Sequence, residues 1–182
     1  MPMIAEQLNV SVHKVQYWLE KENIDRRKPS EATTLAHIKR FNKIPCEVKI
    51  ILDAEQERLL IAGVMLYWAE GSKKNNNYVA FSNSDPDMVR LFLSFLREIC
   101  GIQESRLHLL LHIYTDQNEK ELKSFWSEIT KIPLNQFNKT YIHQGKIGNY
   151  KKKSQYGTVS LRYGDKKLFD QIIKWIERYK DT

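Results

Sequence analysis

Cysteine is scarce in this 182-residue chain, which has only Cys46 and Cys100. Their spacing matches neither a metal-ligand pair nor a disulfide framework. They read as two buried thiols, and a reducing cytosol is the expected setting. No apolar run reaches the ~18 residues that a membrane span requires, so no membrane partner is expected. The N-terminus lacks the basic-then-apolar layout of a secretory signal. No glycine-rich phosphate loop, nucleophile elbow or catalytic-triad signature occurs. These absences point away from disulfide scaffolds, membrane proteins and the common nucleotide-binding and acyl-transfer enzymes. What remains is 42% hydrophobic and 28% charged residues, the mixture of a packed globular protein.

Acid is absent from one long stretch. Pro133 to Gly164 contains no Asp or Glu, yet holds Lys139, Lys146, Lys151, Lys152, Lys153 and Arg162. The net charge is +7 and the pI about 9.3. Residues 136–182 carry 11 Lys/Arg against 4 Asp/Glu, whereas residues 51–135 carry 9 against 12. Basic charge segregated in this way is the footprint of a phosphate-backbone partner. The plainer reading is a solvated loop with scattered lysines.

Residues 1–25 read as two short helices around a tight turn. Ile4, Ala5 and Leu8 share one face of the first, and "NVS" supplies the break. Ser11 is placed to cap the second helix. Val12, Val15, Trp18 and Leu19 then repeat at helical spacing. This resembles the helix-turn-helix of bacterial DNA-binding proteins, with Val12 to Glu22 as the reading helix. His13, Lys14, Gln16 and Tyr17 would then face base edges and phosphates. A plain helical hairpin is the alternative. Residues 26–51 follow as a basic linker and connecting helix, with Arg26 and Arg27 placed to touch phosphates.

Residues 52–182 switch to an α+β pattern. An apolar helix over 54–70 contains the small residues Ala62, Gly63 and Ala69. "YVAFSNS" alternates, with Val79 and Phe81 inward and Tyr78, Ala80 and Ser82 outward. Asp85 and Pro86 open the next helix. "RLHLLLHIY" alternates again, with Leu107, Leu109, Leu111 and Ile113 inward. Its outward residues include Arg106, His108, His112 and Tyr114. A helix spans roughly 117–131, "QFNKTYIHQ" and "YGTVSLRY" read as two more strands, and an amphipathic helix closes the chain. An antiparallel sheet with helices on one face commonly leaves its other face to solvent. Here that face gathers Arg106, His108, His112 and Tyr114 with Thr158, Ser160 and Arg162, groups suited to DNA. His108 and His112 stand ~13 Å apart along a strand, too far to share one ion. His13, His37 and His143 show no partner pattern.

Glu70 closes the apolar helix, where an acid costs ~0.3–1 kcal/mol against the helix dipole. "LLIAGVMLYWAEGS" followed by "VAFSNSDPDMVRLFLSFL" resembles the LAGLIDADG homing endonucleases. The pattern departs from that family at Met65, where glycine is usual, and at the bulky Tyr67 and Trp68. The resemblance implies an antiparallel saddle of strands over double-stranded DNA. It implies an apolar helix that meets its copy in a homodimer, the small residues allowing close approach. Glu70 and Gly71 would then hold Mg²⁺ for phosphodiester cleavage, with Lys139 or one of Lys151 to Lys153 assisting. Lys73 and Lys74 would meet DNA, or one of them would simply pair with Glu70. A DNA-binding regulator without cleavage is the alternative function, and an RNA-binding module a third. The expected location is the cytoplasm, at the nucleoid in a prokaryote.

Overall fold

The computed structural model describes residues 2–25, 29–41, 46–74, 77–144 and 154–180, the side chains of 29, 37–39 and 41 apart. The chain divides into two compact units, 1–43 and 44–182.

The first unit holds α1 (Pro2–Gln7), α2 (Val12–Lys21) and α3 (Pro29–Phe41). The Ser11 hydroxyl accepts the Lys14 amide at 3.3 Å, the cap expected from the sequence. Asn9 turns the chain at a φ of 50°, a conformation that asparagine tolerates better than most residues. Ala5 and Val15 are buried where α1 crosses α2. The rest of the expected apolar face of α2 is only partly covered: Leu19 is half-buried, but Val12 and Trp18 are 40% and 47% exposed. The reason is length: a six-residue α1 spans under two turns and reaches only the start of α2.

The second unit begins before the boundary expected at residue 52. The Lys49 amide donates to the Ile99 carbonyl at 2.9 Å, and Cys46, Val48 and Leu52 lie against the core. Its helices are α4 (Ala54–Glu70), α5 (Pro86–Ser94, running on as a π-helical turn to Ile99), α6 (Glu119–Thr130) and α7 (Lys166–Lys180). Local chemistry sets their starts. Asp53 and Gln56 form a reciprocal capping box on α4. Asp85 accepts the Asp87 and Met88 amides at the head of α5, with Pro86 in the first turn.

The strands are β1 (Val79–Asn83), β2 (Leu107–Tyr114), β3 (Tyr141–His143) and β4 (Thr158–Tyr163), in sheet order β1-β4-β2-β3. β4 runs antiparallel to both β1 and β2, but β3 runs parallel to β2. The sheet is therefore mixed, not antiparallel as expected. The cause is α6: a helix between two strands carries the chain back to the starting end, which yields a parallel pair. The strand expected over "QFNKTYIHQ" contracts to Tyr141–His143, preceded by a bridge from Phe137 to Leu109.

One face of the sheet builds the core. Val79, Phe81, Leu107, Leu109, Leu111, Ile113, Val159, Leu161 and Tyr163 are all buried, as the alternation required. Val64 and Tyr67 of α4, Phe92 and Leu93 of α5, Trp126 of α6 and Ile172 of α7 join them in one cluster. Each such side chain contributes ~1.5–3 kcal/mol by leaving water. No described helix is long and apolar enough to cross a membrane.

Candidate nucleic-acid interface

The second sheet face follows from the same alternation. Register places Ala80, Arg162 and His108 in one row across β1, β4 and β2. Ser82, Ser160 and Leu110 form the next row, then Thr158, His112 and Tyr141. Tyr114 and His143 close the face at the β3 side. None of the four strands contains an Asp or Glu. Ala80 and Ser160 are small and buried, while His108 is exposed. The Ser82 and Ser160 hydroxyls bond to each other across the strands. This surface holds donors and positive charge with no competing carboxylate, which suits phosphate oxygens.

Arg162 lies in the first of these rows. Its guanidinium lies 5.7 Å from the centre of the Tyr78 ring. Its Nε is buried and has no hydrogen-bond partner among the described residues. An unmade bond to a buried cationic donor is costly, and an arriving anion would remove that cost.

Arg106 was expected on the same face, but it serves the fold. Its guanidinium donates to the Gly164 carbonyl, pairs with Asp165 at 3.5 Å and lies 4.7 Å from the Tyr163 ring centre. It lies in the short 3₁₀ turn just before β2, outside the strand alternation on which that expectation rested.

The acid at the end of α4 has a defined setting. Gly71 pairs with Phe81 on the free edge of β1, and the Ser72 amide donates to the Ala80 carbonyl at 2.9 Å. Glu70 is the last helical residue of α4, directly before the Gly71 that pairs with β1. Gly71 has a φ of −74°, so conformation is not its reason for being glycine. A Cβ there would stand 2.4 Å from the Tyr67 ring. That ring is buried, its hydroxyl donates to the Ser72 carbonyl at 2.8 Å, and burial pushes its pKa up to about 12. Lys73 does not pair with Glu70; its Nζ donates to the Trp68 carbonyl at 2.6 Å. A cation on the last turn offsets the dipole penalty of the acid. Glu70 itself is exposed and makes no ion pair or hydrogen bond among the described residues, and Lys74 is exposed beside it.

The structure does not bring Lys139 to Glu70. Lys139 is exposed just ahead of β3, while Glu70 adjoins β1 at the opposite edge. Three strand spacings of ~4.8 Å separate those edges, so one copy cannot join the two side chains. Gly63 is likewise unavailable to a second copy, because the Phe95 ring fills the space over it.

Sequence reasoning missed His143. The parallel β2–β3 pairing brings His143 Nε2 to 3.3 Å from His112 Nδ1. Burial, then His143, then Arg162 hold the His112 pKa below its ordinary value. Tyr141 and Tyr114 flank this pair. The only available signal was "YIH" itself, and its partner was set by topology.

On α2, His13, Lys14 and Tyr17 are exposed as expected. Gln16 donates to Glu20 at 3.1 Å, and the Lys21 ammonium sits over the Trp18 and Tyr17 rings. Arg26, Arg27 and Lys151 to Lys153 lie outside the described residues. No group of three or more His, Cys, Asp or Glu able to hold a metal occurs among the described residues. No family model, curated protein or solved structure matches this chain.

Proposed function

We propose that this protein binds double-stranded DNA across the second face of its sheet, with α2 as a further DNA contact. The observation that carries the reading is the acid-free face that holds Arg162, whose buried Nε lacks a partner among the described residues. His108 stands beside it in register, and His112 lies further along the same strand. The basic composition supplies the long-range attraction that such a partner requires. The resemblance to LAGLIDADG endonucleases suggests the same partner, since a sheet face meets DNA in that family.

The test is a filter-binding titration of a duplex library over a salt series. Affinity should fall steeply with salt, and Arg162→Gln should lower the log–log slope by about 0.9, one phosphate contact. A salt-insensitive wild type, or an unchanged slope in the variant, would contradict the proposal.

Glu70 favours a second reading, in which the bound DNA is also cut. Its carboxylate is unpaired among the described residues and directly precedes Gly71, which pairs with β1. Mg²⁺ commonly takes one or two carboxylates together with phosphate oxygens. One copy supplies a single carboxylate here and falls short of such a site, so cleavage would require a homodimer that brings two Glu70 side chains together. Incubation with Mg²⁺ and a selected duplex tests this. Cleavage lost in Glu70→Gln with binding intact supports it, and binding without cleavage leaves a DNA-binding regulator.

A further inference from the structure

We propose that the β2–β3 end of the same face is a stacking subsite for an unpaired nucleobase, with Tyr141 as its outer ring and His143 and His112 as its floor. The inference rests on that face being a nucleic-acid interface and adds which form of nucleic acid it prefers.

The rings are already assembled. Tyr141 is 57% exposed, and its ring meets His143 edge-on at 4.5 Å. His143 lies near-parallel to His112, with centroids 5.6 Å apart and planes 27° apart. Tyr114 backs His143 at 5.7 Å. The His112–His143 contact fixes both imidazoles, and the parallel register fixes Tyr141 opposite His112 and His143 opposite Tyr114. A ligand therefore meets rings whose orientation is set in advance, which lowers the entropic cost of binding.

The chemistry suits a base better than a phosphate. Tyr141 has no formal charge, and burial keeps the His112 ring towards its neutral form. A tyrosine ring gains little from a phosphate, whereas every base offers a π-face to stack upon. Free edges of Tyr and His can also bond the exposed Watson–Crick edge of a base out of its stack. An intact duplex keeps its bases stacked and shows only backbone and groove edges, so Tyr141 would go unused on it. Arg162 lies four residues along β4 from Thr158, the residue opposite His112, or ~13 Å at ~3.3 Å per residue. One face thus offers a phosphate contact and a base contact at separate places along a strand.

The full chain should be titrated, by fluorescence anisotropy, with a labelled 20-base-pair duplex and with the same duplex carrying a short central bubble of unpaired thymines. The wild type should bind the bubble about tenfold more tightly, the scale of one stacked base. Tyr141→Ala should abolish that preference by weakening bubble binding far more than intact-duplex binding, while Tyr141→Phe should keep it. Equal wild-type affinity for the two DNAs overturns the stacking subsite while leaving the duplex reading in place. Equal weakening of both by Tyr141→Ala does the same. Binding of neither DNA overturns both readings.

Discussion

The Phe95 ring occupies the space that a side chain on Gly63 would need: a Cβ at position 63 would stand 2.1 Å from Phe95 Cγ. Phe95 belongs to the π-helical turn that extends α5, and both residues are fully buried. A small residue in an apolar helix suggests helix-to-helix contact between copies, but here the close approach lies within the chain.

Gly63→Ala therefore sets two effects against each other. Alanine favours a helix interior over glycine by ~1 kcal/mol. Inserting a methyl group into a filled core costs ~1–3 kcal/mol, more where a ring must move. Overpacking should win, and urea denaturation should show a net loss of ~1–2 kcal/mol. A stabilised variant would mean that α4 and the π-helical turn do not meet as described.

Arg106 and Arg162 should separate stability from binding. Asp165 is 1% exposed, accepts the Leu168 amide at 3.0 Å at the head of α7, and pairs with Arg106. Removing one partner of a buried pair typically costs ~3–5 kcal/mol. Asp165 keeps the Leu168 amide and the Cys46 thiol as donors, which places Arg106→Gln nearer ~2–3 kcal/mol. Thermal melts should show that loss, and duplex binding below the transition should keep its salt slope. Arg162→Gln should behave in the opposite way. A reduced salt slope in Arg106→Gln would return that side chain to the DNA face.

The two cysteines should be slow to react in the folded protein. Burial pushes the Cys46 thiol up to about 11 and the Cys100 thiol well above its ordinary value. The thiolate is the reactive form, so neither should be labelled quickly by a disulfide reagent at neutral pH. Both should react promptly in denaturant. Fast labelling of Cys46 alone would show that residues 46–52 leave the core readily.

Much of this architecture follows from periodicity visible in the sequence. Leu107, Leu109, Leu111 and Ile113 alternate as core residues, and Leu168, Phe169, Ile172 and Ile176 repeat as one buried helical face. Caps at Ser11, Asp53 and Asp85 mark helix starts because each is a local hydrogen bond. Partnerships across long sequence distances are a different matter. His112 meets His143, and Arg106 meets Asp165, only through the order and direction of strands. Glu70 was legible as an odd acid, but its place beside β1 depends on Gly71 pairing with Phe81. Alternation gave the face on which Arg162 sits, but the lack of a partner for its Nε among the described residues is a tertiary fact.

The imidazole pair also predicts how stability varies with pH. Burial lowers the His112 pKa from 6.5, assisted by the neighbouring His143 and Arg162. Tyr141 and Tyr114 complete the ring cluster around the pair, and no carboxylate lies on these strands to oppose the effect. As pH falls through about 6.5, His112 in the unfolded chain takes up a proton before His112 in the fold does. The unfolded state then binds more protons, so stability falls with decreasing pH. The contribution is complete above about 6.5 and is lost progressively below it, down to the lowered folded pKa. Urea midpoints measured between pH 7.5 and 5 should decline for the wild type and decline less for His112→Gln, which cannot titrate. His143→Gln should also shallow the decline, because it removes one of the groups that lowers the His112 pKa. A wild-type profile that is flat or rises towards pH 5 would contradict a lowered His112 pKa in the fold.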